Sequence, residues 1–178
     1  MIAEPLALPG VTLLRGDVHA DERGAFRRIV DVSQFASLGL DPAVVQISAA
    51  VNHRAGTVRG MHYQATPHGE SKTLWCTHGS VYDVLVDIRP QEPTYGTWVF
   101  VELVAGEPVA LYVPPGIAHG YQTLEDDTAL TYAVGTPYVA ASARSLRWDD
   151  PTVGIDWPMP VTVISERDRE APLWPPSP

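Results

Sequence analysis

The chain has 178 residues, enough for one domain with a substantial apolar core, and we expect a single domain over residues 1–178. Its 17 prolines and 14 glycines favour many short strands joined by turns over long helices. A net charge of −9 argues against general binding to nucleic acid or to an anionic membrane, although a phosphorylated small molecule needs only a few local arginines.

Residues 1–16 contain an acid, Glu4, and lack the basic region that opens a signal peptide. No apolar run in the sequence approaches the roughly 18 residues of a membrane span. Cys76 is the only cysteine, which rules out an internal disulfide. We therefore expect a cytoplasmic protein that does not associate with membranes.

Two short helices are predicted, one early in the chain and one near its end. Residues 31–39, DVSQFASLG, can form two turns that end at Gly39. Residues 165–171, SERDREA, can form one or two turns with Ser165 as the N-cap. Residues 173–178, LWPPSP, are predicted to form a frayed end.

The middle of the chain is rich in strand patterns. Residues 80–90 alternate, with apolar side chains on one face and the acids Asp83 and Asp87 on the other. Residues 98–116 read as strand, turn and strand, and residues 129–138 read as another strand that ends in a turn. Many short strands at close spacing predict an all-β jelly roll, sandwich or barrel.

Two of the six histidines lie in motifs that bear on function. His62 ends the stretch GTVRGMH and His119 ends PPGIAH, a pair that resembles the two motifs of the cupin superfamily of small β jelly rolls. Metal-binding cupins draw two histidines and a carboxylate from the first motif, but here Gln64 replaces the second histidine and Glu70 comes late. A metal site of His62, His119 and Glu70 is therefore one alternative, which the nearby Lys72 disfavours.

A jelly roll without a metal can still carry out acid–base chemistry. Proton abstraction next to a carbonyl needs a base, a cation at the oxygen where charge develops, and an acid on the opposite face. The candidates for these roles are His62, Lys72 and Tyr132. The carboxylate that orients the base is Asp83, Asp87 or Asp168.

Six segments, taken together, carry a more specific resemblance. They are DERGAF (21–26), VRGMHYQ (58–64), GSVYDVLVDIRPQEPTYGTWVFVEL (79–103), VPPGIAHGYQTLEDDT (113–128), RWDDPTVGIDWP (147–158) and ISERDREAPLW (164–174). In this order they resemble the dTDP-4-dehydrorhamnose 3,5-epimerase family, a metal-free branch of the cupins. The resemblance implies a cofactor-independent epimerase on a cupin-type jelly roll with a few short peripheral helices. It would invert C3, and C5 as well, of a dTDP-4-keto-6-deoxyhexose in deoxysugar biosynthesis.

The same resemblance implies four catalytic residues. His62 matches the base, Asp168 the carboxylate paired with it, Lys72 the cation near the substrate keto oxygen, and Tyr132 the proton donor on the other face. Each has a simpler interpretation when taken alone. Ser165 and Asp168 also form a helix capping box, Tyr132 also fits a packed strand, and a single lysine is usually a surface residue.

Substrate binding and assembly are implied in the same way. The residues that match contacts to the substrate are Arg23, Arg59 and Arg167 at the diphosphate, Gln46 at the nucleotide, Tyr138 stacked on the thymine ring, and His119 along the sugar site. The resemblance also implies a homodimer in which the N-terminal segment crosses to its neighbour. Arg23 would then serve the partner's site.

The chain departs from the family pattern at several positions. Arg28 stands where the family usually has glutamate, and Ser48 where it often has asparagine, although Asn52 or His53 in a longer loop would replace the latter. A glutamate expected after the Tyr138 turn is absent. Because some relatives epimerise only C3, a C3-only enzyme is an alternative. A metal-dependent cupin and a non-catalytic sugar-binding cupin are the others.

Overall fold

A computed structural model describes residues 1–175 of the chain; residues 176–178, the last of the predicted domain and tail, lie outside the described residues. In chain order the described elements are β1 (Ile2–Pro5), β2 (Thr12–Arg15), β3 (Val18–Asp21), β4 (Gly24–Arg27), α1 (Val32–Ser37), β5 (Gln46–Asn52), β6 (Thr57–Gln64), β7 (Lys72–His78), β8 (Ser80–Asp87), β9 (Trp98–Val104), β10 (Val109–Val113), β11 (Ile117–Thr123), β12 (Thr128–Val134), a 3-10 turn (Ala140–Ser142), β13 (Ala143–Ser145), β14 (Val163–Ile164) and α2 (Glu166–Arg169).

The strands form two facing sheets and a separate hairpin. The first sheet has the order β1-β2-β10-β7-β12-β5, and all of its pairs are antiparallel. The second sheet has the order β13-β6-β11-β8-β9, and β14 pairs in parallel with the start of β6. The β3–β4 hairpin pairs only with itself in the described part of the chain. This arrangement confirms the predicted all-β jelly roll with short peripheral helices.

The apolar core lies between the two sheets because alternate side chains of each strand point inward. Leu13, Leu74, Leu111 and Leu130 of the first sheet share this core with side chains of the second sheet, which are Val81, Leu85, Leu103, Ile117 and Tyr121. Burial of each large apolar side chain contributes about 1.5–3 kcal/mol to folding. The core therefore fixes the position of one sheet relative to the other. It also fixes the polar residues at the ends of the two sheets.

Both predicted helices are confirmed, and their caps have the expected chemistry. The Asp31 side chain accepts a hydrogen bond from the Gln34 backbone N–H at 3.0 Å, and Gly39 follows α1 with a φ of +72°. Ser165 accepts a hydrogen bond from the Asp168 backbone N–H at 3.1 Å at the start of α2. Within residues 1–175, no helix is both long and apolar enough to cross a membrane.

Two sequence expectations need correction or refinement. The strands predicted in residues 98–116 are present as β9 and β10, but they belong to different sheets and pair with other strands. The prediction of a frayed end is wrong for Trp174. Its backbone N–H donates to Asp150 Oδ2 at 2.6 Å, and its ring lies 4.8 Å from the ring of Tyr95.

Strands β6 and β11 approach each other closely at two glycines. A Cβ added to Gly60, which has a φ of +128°, would lie 2.5 Å from the Cα of Gly120 and 2.9 Å from the carbonyl oxygen of His119. Real Cβ atoms do not come so near to backbone atoms, so only glycine fits at this crossing. The crossing lies two residues before His62 on one strand and one residue after His119 on the other.

We predict that Gly60→Ala lowers the free energy of unfolding by about 2–4 kcal/mol, because it combines backbone strain with a clash that the sheet cannot relieve. Gly106→Ala is the matched control, since Gly106 also has a positive φ but open space around it. It should cost only about 1 kcal/mol. Thermal unfolding of both variants measures the difference in stability. Equal losses of stability would contradict the close approach of Gly60 to Gly120.

Candidate active site

A pocket of about 280 Å³ opens between the polar ends of the two sheets. Strands β5, β7 and β12 of the first sheet line one side, and β6 and β11 of the second sheet line the other. Eight of the ten predicted site residues line this pocket: Gln46, Arg59, His62, Lys72, His119, Tyr132, Tyr138 and Arg167. The structure thus brings together residues that are up to 121 positions apart in sequence.

The side chain of His62 projects from β6 and is paired with Asp168. The distance from His62 Nε2 to Asp168 Oδ1 is 2.7 Å, and the Asp168 side chain is 6% exposed while that of His62 is 42% exposed. The carboxylate is thus enclosed and the imidazole is open to the pocket. Because Nε2 faces the carboxylate, the lone pair of Nδ1 is the basic site of the ring.

Helix α2 holds Asp168 in place from behind. Ser165 caps the helix through the Asp168 backbone N–H, and the Gly60 backbone N–H lies 3.3 Å from Asp168 Oδ2. Burial alone would raise the pKa of Asp168, but the hydrogen bond and the charge of His62, together with the N–H of Gly60, hold the pKa below its ordinary value. The carboxyl is therefore ionised beside the imidazole at neutral pH.

The other two carboxylates that the sequence left open have different partners. Asp83 Oδ2 lies 2.9 Å from His119 Nε2, and burial raises the pKa of Asp83 although His119 and Lys72 counteract the effect. Asp87 accepts hydrogen bonds from the Arg89 guanidinium, at 2.6 and 2.9 Å, and from the Thr94 hydroxyl at 2.6 Å. Of the three candidate carboxylates, Asp168 is the one that contacts His62.

Lys72 and Tyr132 reach the pocket from the sheet opposite His62. Lys72 opens β7 and is the only lysine in the sequence, and Tyr132 lies on the neighbouring strand β12. The ammonium of Lys72 is 2.5 Å from Glu70 Oε1, and both side chains are largely buried. A basic imidazole on one wall therefore faces a cation and a phenol on the other.

The arginine on β6 is held by a polar network. Arg59 Nε donates to Asn52 Oδ1 at 2.7 Å, and Asn52 Nδ2 lies 3.3 Å from the hydroxyl of Tyr121. Burial raises the pKa of Tyr121 to about 12, so its hydroxyl stays protonated. Asn52 thus orients Arg59, whereas the exposed His53 contacts Asp127 at 3.3 Å and does not line the pocket.

Arg23 is the predicted site residue that the structure places elsewhere. It lies at the tip of the β3–β4 hairpin with its side chain 85% exposed, paired with Asp21 at 2.5 Å. It does not line the pocket of its own chain.

The alternative metal site does not assemble. His62 is paired with Asp168, His119 with Asp83, and Glu70 with Lys72. In the part of the chain that the structure describes, no group of three His, Cys, Asp or Glu side chains is placed to hold a metal ion.

Sequence reasoning missed several polar residues that line the pocket, among them Tyr63, Gln64, Tyr121 and Arg144. Tyr121 lines the pocket two positions after His119, so the period-2 alternation of β11 could have found it. Gln64 was treated only as a departure from the metal motif. In the structure it lines the pocket and contacts Glu70, Pro137 and Val139.

The arrangement is suited to proton transfer at a carbon next to a carbonyl. An imidazole oriented by a buried carboxylate can take the proton, and an ammonium can stabilise the oxygen on which charge develops. A phenol on the facing wall can return a proton to the other side of the same carbon. These three functions need no electron transfer.

Comparison with known proteins identifies close relatives. The model of the dTDP-4-dehydrorhamnose 3,5-epimerase family matches residues 5–175. A dTDP-4-dehydrorhamnose 3,5-epimerase of Sinorhizobium fredii is 40% identical over 173 residues, which cover 97% of this chain and 89% of the relative.

Two solved structures extend the likeness to the fold. The crystal structure of dTDP-4-dehydrorhamnose 3,5-epimerase from Elizabethkingia anophelis matches with a TM-score of 0.93 and 32% identity, covering 98% of this chain and 96% of that one. A 3'-monoepimerase from Streptomyces bikiniensis, in complex with dTDP-quinovose, matches with a TM-score of 0.88 and 34% identity, covering 95% and 86%.

The lowered pKa of Asp168 predicts how its contribution to stability depends on pH. A carboxyl whose pKa is lower in the folded state stabilises the fold above its ordinary pKa of 3.8, and this contribution is lost as the pH falls through the folded-state pKa. The wild type should therefore be more stable than Asp168→Asn at pH 5, and the difference should shrink as the pH falls below about 4. Urea unfolding of both proteins at several pH values measures this difference in stability.

The control for this series is Asp156→Asn, because Asp156 is exposed. Its stability should follow that of the wild type at every pH. A difference between wild type and Asp168→Asn that stays constant down to pH 3 would contradict the assigned ion pair.

Proposed function

The chain belongs to the dTDP-4-dehydrorhamnose 3,5-epimerase family, and we propose that it inverts C3, and C5 as well, of a dTDP-4-keto-6-deoxyhexose without a cofactor. The observation that carries this proposal is the placement of the paired His62 and Asp168 on one wall of the pocket, with Lys72 and Tyr132 on the other. Inversion at carbon requires a base and an acid on opposite faces of the ring, and these walls supply them.

In the proposed reaction, Nδ1 of His62 removes the proton from C3, and the electron pair of the C–H bond moves into an enolate with the C4 oxygen. The Asp168 carboxylate stabilises the imidazolium that forms. The Lys72 ammonium stabilises the enolate oxygen. Tyr132 then returns a proton to C3 from the other face. Proton exchange with water returns His62 and Tyr132 to their starting protonation states.

The same groups serve C5 because both carbons flank the C4 ketone. The second inversion requires the sugar ring to turn so that C5 meets His62. The relative from Streptomyces bikiniensis is named a 3'-monoepimerase, so inversion of C3 alone is the second candidate. The two activities differ in the number of carbons that exchange their protons.

The charge of the pocket supports a nucleoside diphosphate sugar as the substrate. Among the described residues that line it, four are cationic (Arg59, Lys72, Arg144 and Arg167) and one, Glu70, is anionic, although the whole chain carries −9. Such a local excess of positive charge attracts a diphosphate. The ring of Tyr138 is exposed and offers a flat surface for the base, and Gln46 offers a polar contact.

We propose a homodimer in which the β3–β4 hairpin crosses to the partner. The hairpin exposes Val18 and Phe26, and the edge strand β5 exposes Ile47 and Val51 on its outer face. The hairpin follows β2, near one edge of the first sheet, and β5 forms the other edge, so a hairpin that crosses to the partner could cover the exposed apolar side chains of the partner's β5. The exchange would bring the exposed Arg23 to the diphosphate in the partner's pocket.

We predict that the wild type, incubated in D₂O with dTDP-4-keto-6-deoxyglucose, incorporates deuterium at C3 and C5. His62→Ala should lower kcat by about 10²–10⁴ and abolish this exchange, since it removes the base. NMR and mass spectrometry of the sugar give the labelled positions. Label at C3 alone would assign the C3-only activity, and exchange that survives in His62→Ala would exclude His62 as the base.

Two variants control this experiment. His53→Ala makes the same change at an exposed histidine outside the pocket and should leave the rate unchanged. Arg167→Ala removes a charge that lines the pocket and should raise KM more than it lowers kcat.

We predict that mixed dimers of Arg23→Ala and His62→Ala chains regain one wild-type site. The Arg23→Ala chain keeps its own His62 and would receive Arg23 from its partner. Dimers purified with two different tags should therefore show the wild-type KM and about half of the wild-type kcat. If Arg23 serves its own chain, the mixed dimer will show only the raised KM of Arg23→Ala.

A further inference from the structure

The pocket contains a carboxylate, Glu70, that the proposed reaction does not use. Glu70 lies in the segment that joins β6 to β7, and its side chain is 13% exposed. Its Oε1 lies 2.5 Å from the Lys72 ammonium, and its Oε2 accepts a hydrogen bond from Gln64 Nε2 at 3.2 Å. Both oxygens therefore have partners, and the partners belong to different parts of the site.

Gln64 extends this contact to the turn that carries Tyr138. Its Oε1 accepts a hydrogen bond from the Val139 backbone N–H at 2.7 Å, and its Nε2 also lies 3.3 Å from the Pro137 carbonyl oxygen. These two peptide groups flank Tyr138 on either side. The amide of Gln64 thus fixes the main chain beneath the exposed ring, and Gln64 itself is buried.

Backbone contacts join the same two segments independently. The Gly135 N–H donates to the Ser71 carbonyl oxygen at 3.0 Å, and the Thr136 hydroxyl donates to the Gly69 carbonyl oxygen at 3.1 Å. Residues 69–71 and 135–139 are therefore held together on both sides of Glu70. A displacement of the Tyr138 turn reaches Glu70 through several bonds at once.

We propose that Glu70 is a positioning residue that links the nucleotide end of the pocket to the Lys72 ammonium. The link runs from the Tyr138 turn through Gln64 and Glu70 to Lys72. It rests on the proposed function, in which a base stacks on Tyr138 and Lys72 faces the keto oxygen. Binding of the nucleotide then sets the position of the cation that stabilises the enolate.

The chemistry of lysine explains why such a link is useful. An ammonium has three N–H donors on a flexible four-carbon stem. Glu70 occupies one donor and restricts the stem, and the other donors are left for a substrate oxygen. Because a misplacement of about 1 Å can cost 10²-fold in rate, a fixed partner for Lys72 matters in the transition state.

The single lysine of the chain makes the link directly measurable. Labelling with ¹³C,¹⁵N-lysine gives one Cε signal, and it reports on Lys72 without assignment. We expect dTDP, which has no sugar to contact Lys72, to shift this signal in the wild type. Gln64→Met keeps the length of the side chain and removes its hydrogen bonds, so the shift should fall by at least half although dTDP still binds. The contacts of residues 135 and 136 with residues 69 and 71 carry the remainder.

Glu70→Gln tests the other end of the link, because its amide can accept from only one of the two partners. The shift on adding dTDP should fall by at least half. Glu102→Gln is the matched control, since Glu102 is exposed on β9, and it should retain the whole shift. A shift that is undiminished in both Gln64→Met and Glu70→Gln arises directly from the ligand and would overturn the proposal.

Kinetics give a second readout that a purely structural role would not change. Glu70→Ala should lower kcat about 10- to 100-fold with little change in KM. Tyr138→Ala should lower kcat as well as raise KM in the wild-type background, but should change only KM when Glu70 is already absent. Equal effects of Tyr138→Ala on kcat in both backgrounds would contradict the link.

The two proposals fail in different ways. If the wild type takes up no deuterium from D₂O but its lysine signal responds to dTDP through Gln64, the link stands and the epimerase assignment falls. If deuterium is taken up and the lysine signal does not respond to dTDP, the assignment stands and the link falls.

Discussion

The cost of burying charge is the constraint on which this site depends. Three pairs surround the pocket, and the carboxylate of each is largely buried: Asp168 with His62, Asp83 with His119, and Glu70 with Lys72. An isolated charge in such a place costs several kcal/mol, so each group needs its partner. Removal of either member leaves the charge of the other uncompensated. The pairing therefore determines both which residues are present and how their side chains are oriented.

The topology assigns these pairs to the two walls. Strand β6 carries Arg59, His62 and Gln64, and it is held along its length by β11 and at its two ends by β13 and β14. The chain then crosses to the first sheet and places Lys72 at the start of β7. A base and a cation only ten residues apart therefore face each other across the pocket. The crossing segment carries Glu70, which is why one carboxylate can contact both walls.

The sequence predicted most of this through local patterns. Caps and glycines located both helices, and the alternation in residues 80–90 located β8 and the two faces of its side chains. Period-2 alternation cannot tell which sheet a strand joins, so the separation of β9 from β10 depended on long-range packing. The choice of Asp168 over Asp83 as the partner of His62 came from the resemblance, since spacing alone does not reveal which carboxylate a fold brings near. The contacts of Gln64 with the Tyr138 turn were missed for the same reason, because they join residues 73 and 75 positions apart.

Two of the departures from the family pattern concern the pocket walls, and in both the chain has a small side chain there. Ser48 is paired in register with Tyr132 and lines the pocket, where the family often has the larger asparagine. Ala143, on the stretch after Tyr138 that lacks the expected glutamate, is paired in register with Gln64 and lines the pocket. Arg28, by contrast, contacts Asp31 at 3.4 Å and does not line the pocket. Small side chains at these two positions leave room beside Tyr132 and beside Gln64. A sugar that must turn to present first C3 and then C5 to one base would need such room, so these two positions are compatible with the proposed inversion at both carbons.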